Sequence, residues 1–252
     1  MGLGNGSQIY APPVTPGPFS NGQWNIRNRF SEDIIEQAGG GGISARTSLG
    51  LFQSSSSFGT ITGQAPTDTL PSVAFFTTSA VANSNAGFSG GGVIRLKLLN
   101  WVNFKVRLFD AANCRIWLCM TSASNATMKN DNPGGNANLG NGFGFRYSTA
   151  AGDSTIKAMS FNAAAGNTGT IIDTGIIPDT ANFHLFEMRF DGTNVQFFYD
   201  GALVAGIATN LPIGTPPPGS NYSLSPMATI DNVNLGNAKA FWYSQASASE
   251  NF

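Results

Sequence analysis

Charge is the resource this chain uses least. Only 11% of its 252 residues are Asp, Glu, Lys or Arg, and the formal net charge is −1, where soluble proteins average roughly 25% charged residues. With no basic field, non-specific nucleic-acid binding is excluded. Histidine falls to one, His184, and cysteine to two, with no CxxC pair, so a zinc site has no ligand set. Cys114 and Cys119 lie five apart in NCRIWLCM. On one strand they point to opposite faces about 16 Å apart, too far to bridge. No apolar run approaches the ~18 residues of a membrane span. The opening MGLGNGSQIYAPPVTPGPFS has neither a basic nor an apolar region of the kind a secretory signal needs. Gly6 also stands where a myristoylation pattern requires Ser or Thr. The glycine runs at 39–42 and 90–92 lack the following Lys-Ser/Thr of a phosphate loop.

Gly, Asn, Ser and Thr fill the space that charge leaves, and 19 Phe residues with 41% hydrophobic content supply a core. At this length a single all-β domain can bury that core without disulfides. The clearest local signal is FHLFEMRFDGTNVQFFYDGALVAG, residues 183–206. Asp191-Gly192 and Asp200-Gly201 between apolar runs supply the positive φ of type I′ turns, dividing the stretch into three antiparallel strands. Phe186, Met188 and Phe190 alternate with Leu185, Glu187 and Arg189. Val195, Phe197 and Tyr199 alternate with Gln196 and Phe198, the period of strands with one buried face.

Residues 1–24 are rich in Pro and Gly and read as an extended arm, either a free terminus or a strap onto a neighbouring subunit. FSEDIIEQAGGGG offers the one helical hint, with Ser31 as cap, Glu32 and Asp33 at the positive end and glycine as stop. From Ile43 onward short strands and turns follow one another, among them SFGTITGQ, SVAFFTTSAV, VIRLKLL, FKVRLFD, RIWLCMTSA, TIKAMSFN and YSLSPMATI. A dozen or more strands without a repeat of 20–50 residues imply a two-layer antiparallel sandwich or jelly roll spanning 25–252.

Chemistry is harder to find. A glycosidase needs two carboxylates flanking the sugar bond, and on a strand the spacing E-x-D-x-x-E achieves this. Glu187 and Asp191 are four apart with Asp191 in a turn, and Glu32, Asp33 and Glu36 read E-D-x-x-E; neither fits. His184 shares the parity of Phe186 and Met188 and reads as a structural, partly buried histidine, with no GxSxG beside it. These readings exclude an enzyme. The loop MKNDNPGGNANLGNG gathers Asn130, Asp131, Asn132, Asn136 and Asn138, oxygen ligands of the kind Ca²⁺ accepts. One carboxylate is few for calcium, and Asn with Gly is ordinary turn chemistry; no cofactor is expected. Finally, Arg95 and Lys97, Lys105 and Arg107, and Arg115 with Trp117 fall on the polar parity of three consecutive strands. They predict one basic face, either solvated or meeting an acidic neighbour or anionic glycan, with Glu32, Asp33 and Glu36 of another copy as candidate partners.

The succession GFGFRYST, TIIDTGI, FHLFEMRFDGTNVQFFYDGALVAGIATNLP, PMATI and AKAFWYSQA resembles the C-terminal half of concanavalin-A-like, laminin-G-like jelly rolls, over residues 93–246. With GFRY in front it is similar to domains in structural proteins of tailed bacteriophages. The resemblance implies a non-enzymatic virion component, a capsid decoration (cement) protein or tail-fibre subunit. Such a protein would be made in the host cytoplasm and assemble as a homotrimer with other virion proteins. The alternative it implies is a carbohydrate-binding adhesion or receptor-binding domain. Neither reading involves nucleic acid or membrane.

Overall fold

A computed structural model describes residues 28–31, 52–53, 60–64, 73–90, 94–108, 110–123, 125–134, 140–163, 169–213, 222–234 and 236–250. The arm at 1–24, the acidic stretch Glu32, Asp33 and Glu36, and Asn136 and Asn138 lie outside them.

Sixteen strands occur among the described residues, in two antiparallel sheets of eight. The first sheet contains β3 (Thr60–Gln64), β4 (Val73–Thr77), β7 (Leu99–Leu108), β12 (His184–Phe190), β13 (Val195–Tyr199), β14 (Ala202–Ile207) and β16 (Ala240–Glu250). Their order is β14-β13-β12-β7-β16-β4-β3, with β1 (Asn28–Ser31) pairing β16. The second contains β2 (Phe52–Gln53), β5 (Asn85–Gly90), β8 (Cys114–Thr121), β9 (Gly142–Ser148), β10 (Lys157–Phe161), β11 (Thr170–Asp173) and β15 (Ser223–Asn232). Its order is β11-β10-β9-β8-β15-β5-β2, with β6 (Ile94–Arg95) pairing β15. This is the antiparallel two-sheet jelly-roll sandwich that the strand pattern predicts, in the concanavalin-A-like form that the resemblance implies.

Alternation builds the core. Val102, Phe104, Val106 and Leu108 of β7 face Ile116, Leu118, Met120, Phe143 and Phe145 across the sandwich. Phe145 meets Phe186 and Phe197 edge-on, with centroids 5.1 and 5.2 Å away, the geometry the ring quadrupole favours. At the other end Phe76 and Phe241 stack at 5.0 Å. Cys114 joins this core while Cys119 sits on the opposite face of the same strand, both buried and free.

Three local expectations change. VIRLKLL does not run as one strand: after Arg95 the chain makes a 3-10 turn, Leu96–Leu98, because Leu96 and Leu99 bury at the three-residue spacing of that turn while Lys97 stays exposed. Ser31 ends a strand. The two Asp-Gly turns are not alike. Asp200 and Gly201 have φ of 48° and 84°, and Tyr199 pairs Ala202, a two-residue type I′ turn. The first turn spans Asp191 to Asn194, because Phe190 pairs Val195. Gly192 there has φ of 100°, while Asp191 works through its carboxylate. Its Oδ1 accepts the N–H groups of Thr193 and Asn194 at 2.9 and 2.7 Å, an Asx turn.

Candidate functional site

The predicted basic face does not exist as one surface. Lys105 and Arg107 lie on β7 in the first sheet, Arg115 and Trp117 on β8 in the second. The chain crosses from one sheet to the other between these strands, so the same polar parity points to opposite outer surfaces of the sandwich. Arg95 and Lys97 are exposed beside β15, away from both pairs. Arg107 donates from Nε to the Thr180 carbonyl at 3.1 Å.

Arg115 and Trp117 are not solvated either. On the outer face of the second sheet, strand register aligns Asp231, Arg115 and Ser148 in one row and Thr229, Trp117 and Arg146 in the next. Over them lie residues 122–123 and 125–134, including the short helix α1 (Asn125–Met128). Met128 seats it against an apolar patch of Trp117, Cys119, Met159, Phe161 and Met227. Both faces of β8 and β9 are therefore buried.

Beside that patch the cover is latched electrostatically. Arg115 Nε donates to Asp131 Oδ1 at 2.6 Å, and Nη1 donates to the Lys129 carbonyl and, at 3.5 Å, to Asp231 Oδ2. Arg146 holds Asp153 with two parallel bonds, 3.1 and 3.0 Å, and gives its third to the Asp131 carbonyl at 2.7 Å. Asp131, the one carboxylate of the Asn-rich loop, is thus an arginine partner, and Asn130 donates to the Thr127 carbonyl. The described residues contain no group of three or more His, Cys, Asp or Glu that could hold a metal.

Two aspartates share Arg115, yet their environments differ. Asp231 is 1% exposed, and burial pushes its carboxyl up to about 7 against the pull of Arg115. The guanidinium makes its short bonds to Asp131 and the Lys129 carbonyl and reaches Asp231 only at the limit of bonding distance. Asp131 is half-buried, which raises it, but the hydrogen bonds of Arg115 and Ser148 and the charges of Arg115 and Arg146 together outweigh burial and hold it below the usual carboxylate range. Three polar atoms on this face, Trp117 Nε1, Thr229 Oγ1 and Asp231 Oδ1, are buried without a hydrogen-bond partner among the described residues. Such groups are rare because each is costly to desolvate.

The strand-borne pattern E-x-D-x-x-E is absent here. The outward positions of β9 are Gly142, Gly144, Arg146 and Ser148. A carboxylate pair is nevertheless present, assembled from β15 and the cover instead of from one strand. No linear spacing connects Asp131 to Asp231. The available signal was Thr229-x-Asp231, two polar residues on the parity opposite the core-facing Leu224, Ala228 and Ile230 of the same strand.

No protein-family model matches the chain, and no curated protein matches it in sequence. Solved structures do. A Bacillus licheniformis β-glucanase superposes with a TM-score of 0.55 at 9% identity, covering 87% of this chain and 97% of the other. A β-1,3-1,4-glucanase (lichenase) derived from a mouse hindgut metagenome gives 0.52 at 10%, covering 87% and 98%. The Crh5 transglycosylase gives 0.54 at 11%, covering 88% and 84%. These likenesses are of fold. They overturn the expectation of a non-enzymatic bacteriophage virion protein, because the scaffold is that of glucanases and a transglycosylase and none of the three is a virion part.

Proposed function

We propose that this protein is a glycoside-hydrolase-like, carbohydrate-active enzyme. It cleaves or transfers a bond of a β-linked glucan at the outer face of the second sheet, with Asp231 as proton donor and Asp131 as its ionised counterpart. The observation that carries the reading is that two aspartates sharing one arginine are pushed to opposite sides of the normal carboxyl range. Glycosidic cleavage needs this division of labour. One carboxyl must hold a proton for the leaving oxygen while the other stays charged on the far side of the sugar. A group that titrates near neutrality is best placed to give and retake that proton. The unpartnered Trp117 Nε1 and Thr229 Oγ1 beside Asp231 offer hydrogen bonds suited to sugar hydroxyls. The glucan class is carried by the likeness to a β-glucanase and a lichenase. Because Asp231 lies beneath the cover that carries Lys129 and Asp131, turnover requires that cover to lift.

The test is release of reducing ends, and of transfer products by mass spectrometry, from laminarin and mixed-linkage β-glucan. Wild type should form them, and Asp231→Asn should lose ~10²–10⁴-fold in rate while keeping its circular dichroism spectrum. No product from wild type on either glucan, or equal rates for the folded variant, would overturn the assignment.

A further inference from the structure

His184 lies between two carboxylates. Its Nδ1 is 2.7 Å from Asp200 Oδ2, in the β13–β14 turn, and its Nε2 is 2.9 Å from Asp179 Oδ2, in the segment that enters β12. The ring stacks on Tyr199, centroids 4.9 Å apart at 21°, and its side chain is 17% exposed. Ionised carboxylates only accept hydrogen bonds, and a neutral imidazole has a single N–H to give. Both contacts can be bonds at once only when the ring is an imidazolium.

We propose that His184 is a proton-operated clasp that fastens the crossover segment 174–183, which joins the edge strand β11 to β12, onto the β13–β14 turn. Charged, it bonds both aspartates. Discharged, it keeps the shorter Asp200 bond through Nδ1–H and turns an Nε2 lone pair toward the Asp179 carboxylate, so the Asp179 side lets go.

The surroundings agree. Burial disfavours the charged ring, but the bonds to Asp200 and Asp179 outweigh it and raise its pKa. Asp179 is held well below the usual carboxylate range by the Ala181 N–H, then Asn182 and His184, and so stays ionised. Burial and the two carboxylates push the Tyr199 hydroxyl up, keeping it neutral. From β7, Arg107 bonds the Thr180 carbonyl as a permanent cation, with Lys105 two residues along the same face. A raised histidine pKa means that the clasp's contribution is complete below about 6.5, the unfolded value, and disappears as pH rises through the folded value.

Because the chain has one histidine, the tag-free protein gives one pair of ring ¹⁵N signals. These are followed from about pH 5.5 to about pH 8.5, with hydrogen–deuterium exchange of 174–183 expressed as protection factors. Both ring nitrogens should stay protonated above about 6.5, where an unperturbed imidazole loses its proton, and Nε2 should deprotonate first. Protection of 174–183 should then fall about tenfold while that of 114–121 stays constant. His184→Gln should show no such step. A ring that titrates at or below about 6.5, the unperturbed value, or a titration that leaves 174–183 protected, overturns the proposal. The wild-type curve decides alone if the variant does not fold.

Discussion

On the outer surface of the first sheet, Arg189 has a side chain 52% exposed, lies over the Phe198 ring at 4.5 Å and bonds the neighbouring Glu187. On the outer surface of the second, Arg146 and Asp153 are each 5% exposed and share two parallel bonds. Both are arginine–carboxylate pairs; the surroundings differ. Water screens the first pair and competes for its partners, so its net effect is small. The second has only protein around it, so removing either member strands a charge in a medium that solvates it poorly. A parity pattern identifies which face of a strand a cation occupies, but what covers that face decides what the cation does.

The contrast is sharpest if Arg146 is replaced by Met. Asp153 then loses its counterion, and stability should drop by ~3–5 kcal/mol, visible as a large fall in Tm or an unfolded protein at room temperature. A Tm equal to wild type would mean that the cover does not exclude water.

Asp231→Asn probes the same face through pH. The native carboxyl titrates at about 7 and the unfolded one near 3.9. The folded state therefore holds a proton that the unfolded state releases, and wild type loses stability as pH rises from about 4 to about 7. The Asn variant lacks this slope, so the Tm difference between the two should grow in its favour across that window. Parallel Tm curves would return Asp231 to an ordinary carboxylate.

In the hairpins, Gly201→Val forces a β-branched residue to a φ of 84° with open space around its Cβ. The penalty is conformational and not a clash, ~1–3 kcal/mol, measured by denaturant midpoint. The smallest effect belongs to the open face: Arg189→Leu should change stability by less than ~1 kcal/mol. A loss comparable to that of Arg146 would show that the two faces are equally sealed.

The hairpins were legible because their information is local: Asp-Gly pairs and strict alternation act within a few residues. The opposite facing of Cys114 and Cys119 was legible for the same reason. Assigning β7 and β8 to one sheet failed because sheet membership is settled by the partners β16 and β15, far along the chain. β5, reading NAGFSG, escaped notice because glycines dilute its alternation, although Ala86 and Phe88 bury fully in the core. The carboxylate pair escaped for a deeper reason. Asp131 belongs to a loop whose composition reads as turn chemistry, and only its docking over β15 brings it to the arginine that Asp231 also uses.

Strand β8 carries two free thiols on opposite sides, one in the inter-sheet core and one beneath the cover. Burial pushes the Cys114 thiol up to about 12 and raises that of Cys119 as well, so neither is reactive while its own layer is closed. The strand thus serves as a two-channel recorder of breathing. The rate at which an alkylating reagent modifies Cys119 measures how often the cover lifts, and the rate at Cys114 measures how often the sandwich parts. Their ratio separates the motion that admits a ligand from the motion that begins unfolding.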